Sequence, residues 1–146
     1  FTGKKLSEIP GTGAAGGLGF AFLWGLPNVE LKPGIDIVLE AVGLASELQD
    51  ADIVVTGEGC LDFQTAMGKV PVGVAERAKK VRNVPVVAIA GAKGDGCETL
   101  YNFGIDAIFD TVPGVMSLED VMSHAEENLL NTAENVLRLF QIGNLR

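Results

Sequence analysis

Near its middle the chain reads Asp52-Ile53-Val54-Val55-Thr56-Gly57-Glu58-Gly59-Cys60-Leu61-Asp62-Phe63-Gln64-Thr65-Ala66-Met67-Gly68-Lys69. The first five of these residues are mostly β-branched and form a continuous run, which is typical of a strand buried in a parallel sheet. A helical pattern begins near Pro71. We therefore interpret the polar stretch Gly57–Lys69 as a strand-to-helix loop, at the edge where open α/β sheets place their ligands.

The composition of this loop suits an anionic ligand together with a metal ion. Glycines let the backbone approach phosphates closely, and Lys69 supplies a positive charge. Glu58 and Asp62 are carboxylates of the kind that hold Mg²⁺. The alternative is a surface turn whose charges are merely solvated.

Strands and helices alternate along the chain. The predicted strands are Val29–Lys32, Asp52–Thr56, Val84–Ala90 and Ile105–Phe109. The predicted helices are Pro33–Val42, Ala45–Leu48, Pro71–Val81, Cys97–Phe103 and Ser117–Phe140. This order predicts a mostly parallel sheet with helices on both faces, a three-layer α/β/α fold. The length of 146 residues suits a single domain over residues 1–146.

A second glycine-rich loop, Gly91–Gly96, follows the predicted strand Val84–Ala90. Parallel strands end at the same edge of a sheet, so this loop and Gly57–Lys69 should converge on one site. The loop Gly57–Lys69 is not a Walker A motif, because Val70 follows its Gly68-Lys69 pair where that motif needs Ser or Thr.

A third glycine-rich stretch lies at residues 11–26. Gly11, Gly13 and Gly16 fit G-x-G-x-x-G, the fingerprint of dinucleotide-binding domains. That fingerprint requires a preceding strand, and Ser7–Pro10 is a poor one. A dinucleotide-dependent oxidoreductase therefore stays an alternative. The stretch could also be a helix start that binds an anion, or one where small residues allow close packing.

Composition narrows the partners and the compartment. The net charge of −8 argues against a nucleic-acid or acidic membrane surface. The two cysteines, Cys60 and Cys97, have no zinc spacing and are too few for a disulfide framework, which favours reduced thiols in the cytoplasm. We find no pattern of a signal peptide. The chain begins at Phe1 without an initiator methionine, and we expect it to be a piece of a longer protein.

Several motifs, taken as a set, resemble the bacterial glycerate kinase family over nearly the whole chain. They are Gly11-Thr12-Gly13-Ala14-Ala15-Gly16-Gly17, Lys32-Pro33-Gly34-Ile35, Thr56-Gly57-Glu58-Gly59, Leu61-Asp62, Gln64-Thr65, Gly68-Lys69-Val70-Pro71-Val72-Gly73-Val74-Ala75, Ala88-Ile89-Ala90-Gly91 and Asn131-Thr132-Ala133-Glu134-Asn135. The family usually has a basic residue where this chain has Cys60. That difference puts one phosphate or carboxylate contact in doubt.

The resemblance implies ATP- and Mg²⁺-dependent phosphorylation of D-glycerate, most often to the 2-phospho product, by a protein with two α/β lobes. This chain resembles the later part of such a protein, with residues 11–26 near the lobe boundary. The fragment alone is expected to be inactive and to self-associate through Phe20–Trp24, and a folded but non-catalytic fragment is a further alternative. The expected catalytic residues are Asp62, Lys69 and Glu58, with Asp62 and Glu58 also holding the metal. The expected substrate- or nucleotide-binding residues are Gly13, Gly16, Gly17, Gly57, Gly59, Gln64, Thr65, Gly68, Gly91 and Lys93.

Overall fold

The computed structural model describes residues 5–144. Contacts divide the chain into two compact units, Phe1–Val42 and Gly43–Arg146. That the two units form one domain over residues 1–146 stays a prediction. No helix within residues 5–144 is long and apolar enough to cross a membrane.

The second unit contains a sheet of three parallel strands in the order β1-β2-β3. They are β1 (Val54–Leu61), β2 (Val86–Lys93) and β3 (Ala107–Asp110). Val54 lies opposite Val86 in β2, and Val87 lies opposite Ala107 in β3. The prediction of a parallel sheet from the three apolar runs is confirmed.

Helices cover both faces of this sheet. The helices of the second unit are α3 (Leu44–Glu47), α4 (Val70–Val81), α5 (Leu118–Ser123) and α6 (Ala125–Gly143), numbered after α1 (Ala14–Gly25) and α2 (Gly34–Ala41) of the first unit. Ala75 and Ala78 of α4 pack in one core with Val86, Ala88 and Ala90. On the other face, Val136 of α6 packs with Val87 and Ile89. The continuous apolar run of β2 is thus explained by burial on both faces, and the three-layer α/β/α prediction is confirmed.

Both glycine-rich loops begin later than predicted. β1 continues through Gly57–Cys60 to Leu61, and β2 continues through Gly91 to Lys93. Pairing persists because the two glycine-bearing ends lie side by side, with Cys60 opposite Ala92 and Leu61 opposite Lys93. Polar and glycine residues at the strand ends gave no sign of this pairing in the sequence.

Two predicted helices differ in the structure, one in its extent and one in its type. The predicted helix Ser117–Phe140 is two helices, α5 and α6, which meet at His124. The Ser123 hydroxyl donates to the Asp120 carbonyl oxygen at 2.9 Å, and Nδ1 of His124 lies 2.9 Å from the same oxygen. Such side-chain bonds compete with regular helix hydrogen bonding. The predicted helix Cys97–Phe103 is a 3₁₀ helix.

The first unit contains a 3₁₀ helix, Leu6–Glu8, and two helices, α1 (Ala14–Gly25) and α2 (Gly34–Ala41). The predicted strand Val29–Lys32 is wrong, because this segment pairs with no strand among the described residues. The predicted helix that follows begins at Gly34, with Pro33 as its N-cap.

The dinucleotide fingerprint has the wrong surroundings. Where it needs a strand, residues 5–10 contain the 3₁₀ helix Leu6–Glu8. Ala15, Gly16 and Gly17 have φ values of 50°, 68° and 94°, so a regular helical N-terminus does not start at these glycines. A Cβ on Gly19 would contact the carbonyl oxygen of Gly11, which supports the interpretation that small residues here allow close packing.

We expect Gly57→Ala to destabilise the fold, because a Cβ at Gly57 would clash with the backbone carbonyl oxygen of Ile89 in β2. Overpacking of this kind typically costs about 1–3 kcal/mol. Urea denaturation of Gly57→Ala, of the control variant Gly59→Ala and of the parent chain measures this loss of stability. Gly59→Ala is the matched control, since a Cβ there meets no described atom within 4 Å. Equal losses in both variants would contradict this account of Gly57.

Candidate active site at the carboxyl edge of the sheet

The segments that follow β1 and β2 are bonded to each other. The Gly94 N–H donates to the Leu61 carbonyl oxygen at 2.7 Å, and the Phe63 N–H donates to the Asp95 carbonyl oxygen at 3.0 Å. A Cβ on Gly94 would come within 3.1 Å of the Cβ of Asp62, so these segments are in close contact. The two glycine-rich stretches converge at one edge, as the sequence predicted.

Asp62 is fixed by a reciprocal cap at the start of a 3₁₀ helix, Phe63–Met67. Its Oδ1 accepts hydrogen bonds from the backbone N–H groups of Gln64 and Thr65, at 2.9 and 3.2 Å. In return, the Asp62 N–H donates to the Thr65 hydroxyl at 3.3 Å. Because a capping box satisfies donors on both sides, it holds the Asp62 carboxylate in one orientation.

Glu58, Asp62, Thr65 and Lys69 form what we call the carboxylate–lysine cluster. The Lys69 Nζ lies 3.8 Å from Glu58 Oε2 and 3.9 Å from Asp62 Oδ1. The Thr65 hydroxyl lies 3.4 Å from each of the same two oxygens. Lys69 is the N-cap residue of α4, where helical N–H groups already favour anions. The three predicted catalytic residues are therefore brought together.

The cluster is accessible at its charged groups and closed at its base. The side chains of Lys69, Glu58 and Asp62 are 37%, 32% and 26% exposed. Thr65 is fully buried. Its hydroxyl lies 3.4 Å from both carboxylates, and contact of Thr65 with a substrate stays a prediction. Gln64, by contrast, is exposed, and its backbone N–H serves the cap.

A cavity of about 560 Å³ lies beside the cluster, between the sheet and α6. That volume lies within the usual range of small-molecule sites. Its polar lining groups are Thr56, Glu58 and Thr111, and most of the remaining wall is apolar or glycine, from β1, β2 and α6. Glu58 belongs both to this wall and to the cluster. Its carboxylate is directed to Thr65 and Lys69.

The predicted glycines divide by what they do in the structure. Gly57 and Gly91 are required by the sheet, since a Cβ on Gly91 would come within 2.8 Å of the Gly59 carbonyl oxygen and one on Gly57 would clash with Ile89. Gly68 has a φ of 92° and ends the 3₁₀ helix after Asp62. Gly59 is open. Gly13, Gly16 and Gly17 belong to the first unit.

Lys93 has a partner that sequence reasoning missed. Its Nζ lies 2.8 Å from Asp110 Oδ2 at the end of β3. This hydrogen bond, with the charge of Asp110, raises the pKa of Lys93 above its ordinary value of 10.5. Asp110 follows a predicted strand directly, as the polar residues after β1 and β2 do, and that position was the signal available in the sequence.

The carboxylates offer a partial metal shell. No group of three or more His, Cys, Asp or Glu side chains within residues 5–144 could hold a metal ion. Mg²⁺ usually takes only one or two carboxylates and completes its shell with phosphate oxygens and water. Glu58 and Asp62, both partly exposed, supply that number, so the donor set fits magnesium in the presence of a phosphorylated ligand.

We expect Asp62→Ala to lower the free energy of unfolding by about 0.5–2 kcal/mol, because it removes the N-cap. Asp62→Asn should lose much less, since the amide oxygen can accept the same two N–H groups. Urea denaturation of both variants makes the comparison. A loss in Asp62→Asn as large as in Asp62→Ala would show that charge, rather than capping, stabilises this turn.

Lys93 should make the stability of the chain depend on alkaline pH. A pKa that is raised on folding contributes stability below the unfolded value of 10.5, and this contribution disappears as pH rises through the folded pKa. Unfolding by urea at about pH 8 and about pH 11.5 tests this in the parent and Lys93→Gln. The advantage of the parent at the lower pH should shrink at the higher pH. An advantage that is unchanged or larger at high pH would be the contrary result.

Comparison with known proteins gives a consistent match. Residues 1–141 match the glycerate kinase family. The chain is 49% identical over 134 residues to a glycerate kinase of Bacillus subtilis, covering 92% of this chain and 35% of that protein. It is 45% identical over 137 residues to a glycerate kinase of Haemophilus influenzae, covering 94% and 36%. A glycerate 2-kinase of Escherichia coli is 39% identical over 138 residues, covering 94% and 36%. The chain thus spans about a third of the length of these relatives.

Proposed function

The chain belongs to the glycerate kinase family, and on that basis we propose that the whole protein transfers the γ-phosphoryl group of ATP to a hydroxyl group of D-glycerate. The 2-phospho product is favoured, in line with the name of the Escherichia coli relative. The observation that carries the proposal is the carboxylate–lysine cluster, with Lys69 Nζ within 3.9 Å of two carboxylates at the carboxyl edge of a parallel sheet.

Phosphoryl transfer depends mainly on positioning and on neutralising charge. In this proposal the Lys69 ammonium contacts phosphate oxygens, assisted by backbone N–H groups at the start of α4. Gln64 is exposed and Gly59 has open space around it, and both are neighbours of the cluster residues in the chain. In this proposal both contact the ligand. The cavity beside Glu58 receives part of the substrate or nucleotide.

The carboxylates of Glu58 and Asp62 have two roles in this proposal. Glu58 and Asp62 would hold Mg²⁺, and one of them would accept the proton of the reacting hydroxyl. When bound, magnesium supplies positive charge that offsets the charge of the phosphates. The capping box around Asp62 then keeps the anionic groups aligned during turnover.

Three further proposals concern the compartment, the activity of the isolated chain and its self-association. Use of ATP, together with the free thiols Cys60 and Cys97, favours the cytoplasm. Because the chain covers about a third of its relatives, we propose that it has little activity alone. Phe20, Phe22 and Trp24 are 41%, 44% and 63% exposed, which supports self-association of the isolated chain through this apolar surface.

We expect Lys69→Ala in the whole protein to lower turnover of D-glycerate by about 10²–10³, the usual effect of removing one donor that stabilises transition-state charge. Its melting temperature should stay within a few degrees of the parent, since the Lys69 side chain is partly exposed. Steady-state assays coupled to ADP formation measure the rate.

Lys80→Ala is the control for this variant. Lys80 is an exposed lysine in the last turn of the same helix, so its removal changes net charge equally without touching the cluster. If Lys69→Ala and Lys80→Ala both turn over at the parental rate, phosphoryl transfer occurs away from this edge of the sheet.

A further inference from the structure

We propose that the 560 Å³ cavity between the sheet and α6 holds the base of ATP, and that the phosphates of the nucleotide pass over Gly59 toward the carboxylate–lysine cluster. The inference rests on the proposed kinase function and names the part of the substrates that this cavity takes. Three observations on the described residues carry it: the cavity wall holds no cation, its two sides are flat, and the fold does not require glycine at position 59.

The wall of the cavity suits a neutral group rather than an anion. No lysine, arginine or histidine of residues 5–144 lines it, and its one charged residue is Glu58. Glu58 lies opposite Ala90, which packs in the core beneath α4, and its carboxylate is directed to Thr65 and Lys69. An anion taken out of water without a paired cation is costly. Glycerate and the phosphates of ATP are anions, so the nucleoside is the part of these substrates that the wall accepts.

The first turn of α6 does not reverse this charge argument. Ala125 lines the cavity at the start of α6, where the end of a helix favours negative charge. Glu126 and Glu127 stand in the same turn and supply that charge themselves. A phosphate at this position would therefore meet like charge from two carboxylates.

The cavity has two flat sides. On the side of the sheet, Gly57 and Gly91 line it without side chains, so the strands present backbone there. On the side of α6, the lining residues are Ala125, Leu129 and Ala133, which recur at a spacing of four and share one helix face. Two of these three side chains are single methyl groups. A slot between bare backbone and small apolar side chains fits a planar ring.

One hydroxyl group in the wall can serve the polar edge of such a ring. Thr111 lines the cavity, and its N–H donates to the Ala90 carbonyl oxygen at 2.9 Å, which places it at the end of the strands. Its hydroxyl has no hydrogen-bond partner among residues 5–144. Because a hydroxyl both donates and accepts, it can pair with a ring nitrogen or with an amino group of the base. A mostly apolar pocket with few polar groups is typical of small-molecule sites.

Gly59 is the glycine at this edge that the fold does not explain. Gly57 and Gly91 lie against the backbone of a neighbouring strand, and Gly68 has a φ of 92°. A Cβ on Gly59 would meet no described atom within 4 Å, and its φ lies outside the left-handed region. Glycine inside a strand weakens the strand and often marks a place where a ligand approaches closely. Close approach of a ligand is the reason that remains for this glycine.

The position of Gly59 connects the cavity to the cluster. β1 carries Gly57 in the cavity wall, then Gly59, and ends next to Asp62 of the cluster. Nucleotides bind across the carboxyl ends of parallel strands, with their phosphates at the start of a helix. Lys69 is the N-cap residue of α4 and offers such a start. With no side chain at position 59, the phosphates can pass over the end of β1 from the cavity to Lys69.

The test of the base site is calorimetry of ATP and of inorganic tripolyphosphate, each with Mg²⁺, on the whole protein and two matched variants, Leu129→Ala and Leu130→Ala. Leu129 and Leu130 are neighbours in α6, 50% and 66% exposed, and only Leu129 lines the cavity. Leu129→Ala should bind ATP about tenfold more weakly, the scale on which an apolar pocket responds to a small loss of contact. Its affinity for tripolyphosphate, which has no base, should be unchanged. Leu130→Ala should bind both like the parent.

The path over Gly59 is tested by Gly59→Val. Valine is favourable in strands, and position 59 has open space, so the free energy of unfolding should not fall. The affinity for ATP should fall by about tenfold or more, and the KM for ATP should rise while the KM for glycerate is kept. If Gly59→Val unfolds, Gly59→Ala replaces it with the same expected direction. Parental ATP affinity in the folded variant overturns this path.

The base site is overturned if Leu129→Ala binds ATP like the parent, or if it loses tripolyphosphate affinity to the same extent. A loss of stability in Leu129→Ala with parental ATP affinity would show that another segment of the whole protein occupies the cavity, which also overturns it. If ATP binding responds as expected but glycerate is not phosphorylated, the glycerate assignment falls and the base site stands. A parent that binds no ATP overturns both proposals.

Discussion

The parallel pairing of β1 with β2 is the constraint on which the rest of the second unit depends. Two parallel strands must end at the same edge, and here the pairing continues through residues that look like loop in the sequence. This extension carries Glu58 and Lys93 on strands rather than on flexible connections. Groups on regular elements are held more precisely than groups on loops. The strand ends thus form the rigid base of the site.

The glycines show how one residue type serves different physical needs at one edge. Gly57 and Gly91 allow two backbones to approach, Gly68 allows a left-handed turn, and Gly59 leaves open space. In sequence all four look like members of a phosphate-binding loop. A motif rich in glycine therefore says where a backbone is unusual, but the surroundings decide whether strand, turn or ligand requires it.

The sequence predicted the layers of the fold well, because a strand that is buried on both faces has a continuous apolar sequence, as β2 does. It also predicted that Glu58, Asp62 and Lys69 would meet, since strand ends converge. The prediction failed where the structure of a segment depends on a partner that is distant in the sequence, or where local hydrogen bonds compete with a regular helix. Val29–Lys32 alternates like a strand yet pairs with none among the described residues, and His124 interrupts an apolar stripe that continues on both sides. The Lys93–Asp110 pair joins two strands, and the sequence marks Asp110 only by its position directly after a predicted strand.

The double duty of Asp62 has an evolutionary consequence. As an N-cap, the position accepts Asn, Ser or Thr at little cost, but none of these carries the negative charge that faces Lys69. Glutamate carries the charge, but it is absent from the residues that favour the N-cap position. Aspartate satisfies both demands with one short side chain. Substitution at position 62 is therefore restricted even where the fold tolerates it. We expect aspartate to be retained at this position longer than the residues at neighbouring positions.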